Sequence, residues 1–472
     1  MDEGPRVIKA TMAVTGDSFK GKKVTVIGLA REGLALTRFL SARGALVTVS
    51  DSKTALELGP ALRQLEGLGA RYSLGANRVE DALGADMVFA SPGVPPNLAP
   101  LEAARRAGIP ISSATRLFFQ LCPGRIVGVT GSCGKSTTTS LIGRMLEATG
   151  KKALVGGNLG TPLLDRLAEM DRDTWAVLEL SSFQLESMEE SPHIAIITNL
   201  RPDHLDRHPS LKDYTEAKAN IFLHQEAGDY LLLNYDDPAA REMAGQAPSR
   251  VLFFSLKREL ESGGFIHGGN LMVSVEGRKI AAVCSELEVR LLGRHNLYNV
   301  LAASLAAALC EVEPRVAGQV ARSFQGLPHR LELVRQVKGV SYYDDSIATT
   351  PDRAVAALNS FSRPVILIAG GRDKNLPLEP FTTSIQRRCK AVILYGEGGG
   401  LLQDALAEHG MPGNGDLIVY RTQAFQGAVE KAASLATAGD VVLLAPGFAS
   451  FDQFSSYEER GKAFSDLVGK LR

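Results

Sequence analysis

Short apolar runs alternate along the chain with longer segments in which apolar residues recur every three or four positions. The runs KVTVIG and RIVGVTG precede LALTRFLSARG and STTTSLIGRMLEATG, and RPVILIAGG and GDVVLLAPG are further runs of the same kind. The runs are typical of buried strands, and the segments after them are typical of amphipathic helices. Strands that alternate with helices predict parallel sheets, so the expected fold class is α/β.

The length of the chain predicts several domains. Its 472 residues exceed what one hydrophobic core usually serves, since domains hold about 100–200 residues each. We place the boundaries where one strand and helix unit stops and another glycine loop begins. This gives three predicted domains, 1–114, 115–326 and 327–472.

Charge and composition narrow the classes of function. The 52 Lys and Arg residues balance the 52 Asp and Glu residues, which argues against nucleic acid or an anionic bilayer as the main partner. The apolar runs are far shorter than the roughly 18 residues of a membrane span, and the start MDEGPRVIKA lacks a secretory apolar region. We expect a soluble, cytoplasmic protein. The cysteines are scattered without a C-x-x-C pair, which predicts reduced thiols; they are Cys122, Cys133, Cys284, Cys310 and Cys389.

The first strand and helix unit has the order of a Rossmann-like domain. KVTVIGLAREGLALTRFLSARGALVTVSDS predicts a strand, a glycine turn, a helix and a second strand that ends at Asp51. The middle glycine of a dinucleotide fingerprint is replaced by Ala30, between Gly28 and Gly33, which adds a methyl group where a pyrophosphate would approach. A nucleotide-sugar diphosphate or a structural turn therefore competes with NAD. The later loop FASPGVPPN follows another predicted strand and is a second ligand loop or an ordinary turn.

The segment RIVGVTGSCGKSTTT predicts a phosphate loop between a strand and a helix. It departs from the regular Walker pattern, because Val129 stands at the position of the first glycine, and it is better written T-G-x-x-G-K-[ST]. Lys135 would neutralise phosphate oxygens, Ser136 would offer a hydroxyl to Mg²⁺, and backbone N–H groups would hold the phosphates. An ordinary turn is the alternative. The expected loop residues are Gly131, Ser132, Cys133, Gly134, Lys135, Ser136 and Thr137.

Three segments downstream carry groups that could bind a metal. WAVLELSSFQLE predicts a buried strand that ends at Glu179, which is either a ligand at the sheet edge or a helix cap. HIAIITNLRPDHLDRH predicts a strand followed by Asn199, Asp203, His204 and Asp206. Mg²⁺ prefers oxygen ligands, so His204 alone is a weak candidate. LKDYTEAKANIF predicts an amphipathic helix whose lysine, by pattern alone, is a solvated charge.

Several blocks of the chain together resemble the Mur ligases, the ATP-dependent amide-forming enzymes of peptidoglycan precursor synthesis. The resemblance runs from about Lys23 onward, and the blocks occur in the family's order. These blocks are ASPG, TGSCGKST, LELSSFQLE, NLRPDHLDRH, EAKANIF, GRHNLYNVLAA, LPHRLE and LAPGFASFDQFSSYEERG.

The resemblance implies a domain for the UDP end of the substrate, a central ATPase domain with a parallel or mixed sheet, and a Rossmann-like domain for the incoming amino acid. It implies UDP-N-acetylmuramoyl-L-alanine and D-glutamate as substrates, with ATP and two Mg²⁺ ions. In this family a carboxylate attacks the γ-phosphate, and the amine then attacks the acyl phosphate. We expect a monomer that has no nucleic acid or membrane partner.

The resemblance also assigns roles to residues. Lys135, His204 and Lys218 match catalytic positions, and Lys218 matches a lysine that reacts with CO₂ to form a carbamate, an anionic oxygen ligand. The matched metal ligands are Ser136, Glu179, His204 and Lys218. Beyond the phosphate loop, the matched nucleotide contacts are Asn296, Asn299, Arg330 and Asp345. The expected substrate contacts are Asp51, Ser91, Pro92, Gly93, Asn158, His329, Thr349, Lys374, Ser450 and Tyr457.

Three positions depart from the family pattern. Cys133 replaces an Asn in the phosphate loop, Ile347 replaces the Lys of a D-S-K-A-T block, and Tyr457 replaces a Phe. Loss of a charge-assisted contact costs about 1.5–3 kcal/mol, so the choice of amino acid is less secure than the reaction type. The alternatives are a sister ligase with another acceptor, including a folylpolyglutamate-type reaction, a non-catalytic nucleotide-binding regulator, and an NAD-dependent oxidoreductase.

Overall fold

The computed structural model describes residues 19–201, 210–275, 280–408 and 417–471. They form three sheets in two compact units. One unit holds the first two sheets and Leu297–Arg322, and the other holds Arg290–Asn296 and the third sheet. The α/β class with three sheet domains is therefore confirmed, whereas the boundaries at 114/115 and 326/327 stay predictions.

The first sheet is parallel, with the strand order β3-β2-β1-β4-β5. Its strands are β1 (Lys23–Ile27), β2 (Leu46–Asp51), β3 (Arg71–Leu74), β4 (Met87–Ala90) and β5 (Ile111–Ser112). Its helices are α1 (Arg31–Ala42), α2 (Gly59–Arg63), α3 (Val79–Leu83), α4 (Ala99–Arg106) and α5 (Ala114–Leu121). The chain runs outward from β1 to one side and from β4 to the other. Such a reversal of strand order leaves a crevice at the carboxyl ends of the two central strands.

The central sheet has the order β14-β13-β12-β11-β10-β9-β6-β8-β7, and it is parallel except for the pairs formed by β13. Its strands are β6 (Arg125–Thr130), β7 (Ala153–Gly157), β8 (Trp175–Glu179), β9 (Ile194–Ile197), β10 (Tyr230–Asn234), β11 (Arg250–Phe254), β12 (Gly263–His267), β13 (Asn270–Ser274) and β14 (Ala281–Ser285). Its helices are α6 (Lys135–Glu147), α7 (Ser182–Leu185), α8 (Leu211–Ala219), α9 (Pro238–Glu242), α10 (His295–Leu309) and α11 (Pro314–Ser323), with 3₁₀ turns at Leu163–Glu169, Met243–Gln246 and Glu286–Glu288.

The third sheet has the order β15-β16-β20-β17-β18-β19, and it is parallel except for β15. Its strands are β15 (Glu332–Val337), β16 (Val340–Asp344), β17 (Val365–Gly370), β18 (Cys389–Tyr395), β19 (Ile418–Arg421) and β20 (Val441–Gly447). Its helices are α12 (Pro351–Leu358), α13 (Glu379–Arg388), α14 (Gly396–Glu408), α15 (Phe425–Leu435) and α16 (Tyr457–Gly469). The central strands are buried along their whole length, as expected where helices cover both faces.

The structure bears on two expectations, the lack of a membrane span and the reduced state of the cysteines. Within them, no helix combines the length and apolar character that a bilayer span requires. The five cysteines all lie in these ranges and all are free thiols, which confirms the prediction from their spacing.

Candidate active site

The predicted phosphate loop joins β6 to α6, and two glycines fix its shape. Gly131 has φ +139° and Gly134 has φ +86°, both in the region that favours glycine. A β-carbon at Gly131 would lie 2.0 Å from the Thr198 hydroxyl, and one at Gly134 would lie 2.2 Å from Asn299 Oδ1. The loop therefore needs glycine at both positions for conformation and for space.

The loop is held from the end of β9 through its backbone. The Cys133 N–H donates to Asn199 Oδ1 at 3.0 Å, and the Cys133 carbonyl accepts from the Thr198 hydroxyl at 2.6 Å and from Asn199 Nδ2 at 2.9 Å. The Ser132 hydroxyl donates to the Arg201 carbonyl at 2.9 Å. Because Cys133 is exposed and engaged through its main chain, replacing the family's Asn leaves the loop intact.

Two lysines from different elements meet at one carbonyl oxygen. Lys135 Nζ lies 2.8 Å from the Gly131 oxygen and 2.9 Å from the Ser132 oxygen. Lys218 Nζ, on α8, lies 3.1 Å from the same Gly131 oxygen and 3.0 Å from Thr130 Oγ1. Lys218 is 1% exposed. Its Nζ also lies 4.7 Å from the centre of the Tyr214 ring. The pattern alone indicated a solvated helix lysine, and that interpretation is wrong because α8 packs this face against the loop.

Glu179 ends β8 beside the phosphate loop, paired in register with Val129 of β6. Asn158 Nδ2 donates to Glu179 Oε1 at 2.9 Å. Glu179 Oε2 is buried and has no hydrogen-bond partner among the described residues. A buried carboxylate oxygen needs a partner, and a hard cation such as Mg²⁺ accepts such an oxygen. The donor set at this sheet edge therefore fits a magnesium ion.

Other predicted residues of this unit lie at the same loop. Ser136 and Thr137 are buried in the first turn of α6. Asn299 lies inside α10 rather than at its cap, and its Oδ1 is 3.4 Å from the Thr138 hydroxyl. His204, with Asp203 and Asp206, falls outside the described residues, so its role as a ligand stays a prediction.

At the crevice of the first sheet, side chains that were predicted to contact substrate form hydrogen bonds with the loop backbone. Asp51 accepts from the N–H of Leu29 at 2.7 Å and of Lys53 at 2.9 Å. The Ser91 hydroxyl donates to the Gly28 carbonyl at 2.7 Å, joining the loops after β1 and β4. Pro92 and Gly93 continue the second loop, with Gly93 exposed. Asp51 and Ser91 thus shape the crevice, and their contact with substrate stays a prediction.

In the second unit a half-buried histidine pairs with a buried aspartate. His329 has φ +61°, and its Nδ1 donates to Asp344 Oδ2 at 2.7 Å. This hydrogen bond is the main reason that the pKa of His329 is raised. Gly461 lies against the pair, since a β-carbon there would be 2.1 Å from His329 Nδ1. Arg330 follows on the same segment, and its N–H donates to the Leu327 carbonyl at 3.2 Å.

The segment after β16 carries Asp345 and Thr349, and Thr349 contacts a lysine of the same unit. Asp345 accepts from the Leu331 N–H at 3.0 Å, and burial raises the pKa of its carboxyl to about 7. Lys374 Nζ donates to the Thr349 hydroxyl at 3.2 Å, and burial, together with Arg353, lowers the pKa of Lys374.

The remaining predicted residues of the second unit are also in the described ranges. Ser450 is 2% exposed. Tyr457 begins α16, where its ring packs edge-on against the His329 ring with centroids 6.4 Å apart. Asn296 Nδ2 donates to the Leu292 carbonyl at 2.7 Å. Their contacts with substrate or nucleotide stay predictions.

Three domain profiles match the chain in order. They are described as the Mur ligase MurD-like N-terminal domain (residues 22–113), the Mur ligase middle domain (residues 129–307) and the Mur ligase glutamate ligase domain (residues 329–448). The UDP-N-acetylmuramoylalanine--D-glutamate ligase of Acetivibrio thermocellus is 40% identical over 96% of this chain and 97% of its own length. The enzyme of the same name from Koribacter versatilis is 41% identical over 96% and 98%. The chain belongs to the Mur ligase family.

Solved structures show the same fold. The UDP-N-acetylmuramate-alanine ligase of Thermotoga maritima superposes on this Mur ligase with a TM-score of 0.60 at 18% identity, over 96% of this chain and all of the other. The MurF ligase of the same organism, in complex with ADP, gives a TM-score of 0.56 at 16% identity over 97% of each chain. At 18% and 16% identity, the similarity to these two structures supports the shared fold and no further property.

One buried residue of this Mur ligase was missed by sequence reasoning. Arg460, on α16, is 0% exposed. Its Nε donates to the Ser346 hydroxyl and its Nη2 to the Ser346 carbonyl, both at 2.9 Å, and Nη1 donates to the Phe448 carbonyl at 3.1 Å. Arg460 thereby fixes the residue directly after Asp345. The segment YEERGK is polar, so its pattern indicates a solvated charge, and only its place inside a block of the family resemblance could have marked it.

Proposed function

We propose that this Mur ligase joins D-glutamate to UDP-N-acetylmuramoyl-L-alanine, using ATP and passing through an acyl phosphate. Use of ATP follows from membership of the family. The choice of substrates is supported by the relatives of the same name, which match nearly the whole chain. The observation that carries the proposal is the meeting of Lys135 and Lys218 at the Gly131 oxygen, on the same sheet edge as a Glu179 carboxylate oxygen that has no hydrogen-bond partner among the described residues.

The residues of the first unit suit the activation of a carboxylate. A free carboxylate is a poor electrophile, and transfer of the γ-phosphate gives it a leaving group. The backbone N–H groups of the loop and the start of α6 would bind the phosphates, and Lys135 would neutralise the charge that develops on them. Glu179 and Ser136 would hold Mg²⁺, which supplies charge neutralisation at the phosphate oxygens when bound.

Lys218 has a proposed role of its own. Its amine is buried against Thr130 and Gly131, where a carbamate formed with CO₂ would present anionic oxygens to the metal site. A lysine converted in this way changes from a cation to an oxygen ligand. Its carbamylation, like the second Mg²⁺ ion, belongs to the proposal.

In the second unit, Lys374 and Ser450 would bind the carboxylate groups of D-glutamate, as a point cation and a hydroxyl donor, and Thr349 would belong to the same amino-acid site. Asp345 would contact the nucleotide ribose, and Arg330 with His329 would contact phosphate or substrate. These assignments are supported by the hydrogen bonds of Asp345 and Lys374 and by the burial of Asp345 and Ser450.

The direct test measures phosphate release from ATP by purified protein. Release should require UDP-N-acetylmuramoyl-L-alanine and D-glutamate together, and strong release with neither substrate would count against the ligase. The variant Lys218→Ala should lose turnover and recover part of it with added short carboxylates. Lys212→Ala changes an exposed lysine of the same helix, paired with Glu216 at 3.7 Å, and should behave as the wild type.

A second candidate function concerns the acceptor. Ile347 replaces a family lysine and is held through its N–H to the His329 carbonyl at 3.2 Å, so the described contacts do not replace the lost charge. A panel of D- and L-amino acids, with a folate as a further substrate, separates the two functions. Preference for another acceptor would favour the sister ligase over the proposed one.

A further inference from the structure

Glu32 lies at the crevice of the first sheet but is directed toward the central one. It stands in the first turn of α1, directly after the loop that Gly28 and Ser91 close. Open α/β sheets bind ligands at such a reversal of strand order. A negative charge in this turn would raise the electrostatic energy of an anionic ligand bound in the crevice, so the protonation state of Glu32 matters for binding.

The carboxyl group of Glu32 joins the crevice to the turn that follows Glu179. Gln184 Nε2 donates to Glu32 Oε1 at 2.7 Å. The side-chain oxygen Oε1 of Gln184 in turn accepts from the N–H and from the hydroxyl of Ser181, which caps α7. Ser181 is two residues after Glu179. Glu32 is therefore linked through Gln184 to Ser181, in the turn that follows β8.

The second oxygen of this carboxyl group is unsatisfied. Glu32 Oε2 is buried and lacks a hydrogen-bond partner in the described part of the chain. The side chain borders a cavity of about 20 Å³, lined also by Thr115, Phe118 and Leu163, which is enough for one water molecule. Burial raises the pKa of Glu32 to about 7, against smaller lowering by Gln184 and Thr115.

No cation of the described residues forms an ion pair with Glu32. Arg116, beside Thr115 on α5, is paired with Glu189 and Glu190. Arg38, on α1, is paired with Asp165 of the neighbouring 3₁₀ turn. The other charged groups on the elements around Glu32 are Arg31, Glu179, Glu186, Arg166 and Glu169. A carboxylate at this position would therefore stay uncompensated, whereas a neutral carboxyl group would accept from Gln184 and turn its hydroxyl toward the cavity.

We propose that Glu32 is a positioning residue that works as a neutral carboxyl group: it accepts from Gln184 in either state, but protonated it admits an anionic UDP-linked substrate to the crevice, and ionised it repels that substrate. The inference rests on the proposed function, because it takes the substrate from there. It adds a proton-linked control of substrate affinity at a residue outside the reacting groups.

The test measures binding of UDP-N-acetylmuramoyl-L-alanine by calorimetry between pH 6 and 8.5. The carboxyl group of this substrate has a pKa far below the range, and its diphosphate does not titrate there. Wild-type affinity should fall, approaching about tenfold per pH unit above pH 7.

Glu32→Gln keeps the shape and the acceptor but cannot ionise, so its affinity should not change with pH. Glu80→Gln, at an exposed position of the same domain, should follow the wild type. Parallel curves for the wild type and Glu32→Gln would overturn the proposal.

Unfolding without substrate separates this inference from the proposed function. The raised pKa of Glu32 means that the folded wild type loses stability as pH rises from about 4.5 to 7. The stability advantage of Glu32→Gln should grow across that interval and then stay constant. A constant difference at all pH values overturns the role of Glu32 and leaves the ligase standing. Failure to bind the UDP substrate at any pH, with the expected unfolding curves, overturns the proposed function and the substrate part of this inference.

Discussion

Two features of Gly134 require glycine. Its φ is positive, and Asn299 occupies the space that a β-carbon would need. Gly134→Ala should weaken ATP binding at least about tenfold, because the left-handed conformation costs roughly 1–2 kcal/mol and the side chain of Asn299 must move. Gly150→Ala is the matched control, with φ +75° and nothing within 4 Å of the added carbon. Titration with ATP measures both. Equal losses in the two variants would contradict the role of Asn299.

The pair of His329 and Asp344 predicts a pH dependence of stability. The pKa of His329 is raised in the folded state, so its stabilisation is fully present below the unfolded pKa of about 6.5 and is lost as pH rises through the folded pKa. His329→Gln should therefore destabilise the protein more at pH 6 than at pH 9 in urea unfolding.

The control for this prediction is His267→Gln. His267 forms an exposed pair with Glu259 at 2.9 Å, and exposed pairs contribute only about 0–1 kcal/mol. This variant should change little at either pH. A loss in His329→Gln that grows with pH would contradict the assigned direction.

Sequence could predict some site residues and not others, for physical reasons. Glu179 and the phosphate loop follow buried strands, and carboxyl ends of parallel strands meet at one edge. Lys218 needed the family resemblance, because a lysine in a helix looks solvated until the neighbouring loop is known. The burial of Glu32 and its contact with Gln184 could not be predicted from the local sequence pattern, because Gln184 is 152 positions away.

At the scale of elements, α16 is held to the segment after β16 by Arg460. Arg460→Met should cost about 2–4 kcal/mol, because the buried carbonyls of Ser346 and Phe448 lose their donors. The apparent KM for D-glutamate should also rise. Lys462→Ala removes an exposed pair with Asp466 on the same helix and should change stability by less than about 1 kcal/mol. Urea unfolding and initial rates measure the two effects. Similar losses from both variants would contradict the role given to the buried guanidinium.

The elements themselves were the most predictable level. The predicted strands in KVTVIG and RIVGVTG are β1 and β6, and WAVLE forms β8, which ends at Glu179. Alternation of strands and helices is a local property of the sequence, so it can be found without tertiary knowledge. The antiparallel pairing of β12, β13 and β14 depends on contacts across the sheet, and the expectation of a parallel or mixed sheet left it open.

At the scale of the whole molecule, each of the two units has a core of its own. Leu231 lies in the core of the first unit and Leu443 in that of the second, and both are 0% exposed. Each change to Ala should cost about 2–5 kcal/mol. Calorimetry should show Leu231→Ala lowering one transition and Leu443→Ala the other. A single transition that both variants lower equally would mean that the units unfold together.

Some properties of the whole molecule stay predictions. Short apolar runs led to the expectation of a cytoplasmic protein and scattered cysteines to that of reduced thiols, of which the free thiols are confirmed. The expected monomer stays a prediction. Cellular location and association depend on partners and conditions that a single chain does not specify.

The oxygen of Gly131 receives both Lys135 and Lys218, and this sharing bears on how fast nucleotide is exchanged. An arriving triphosphate would take Lys135 from the oxygens of Gly131 and Ser132, while Lys218 Nζ, which keeps an N–H as an amine or as a carbamate, would remain on the Gly131 oxygen. Departure of the spent nucleotide reverses the same swap. The Gly131 oxygen would therefore keep one donor throughout the exchange of nucleotide.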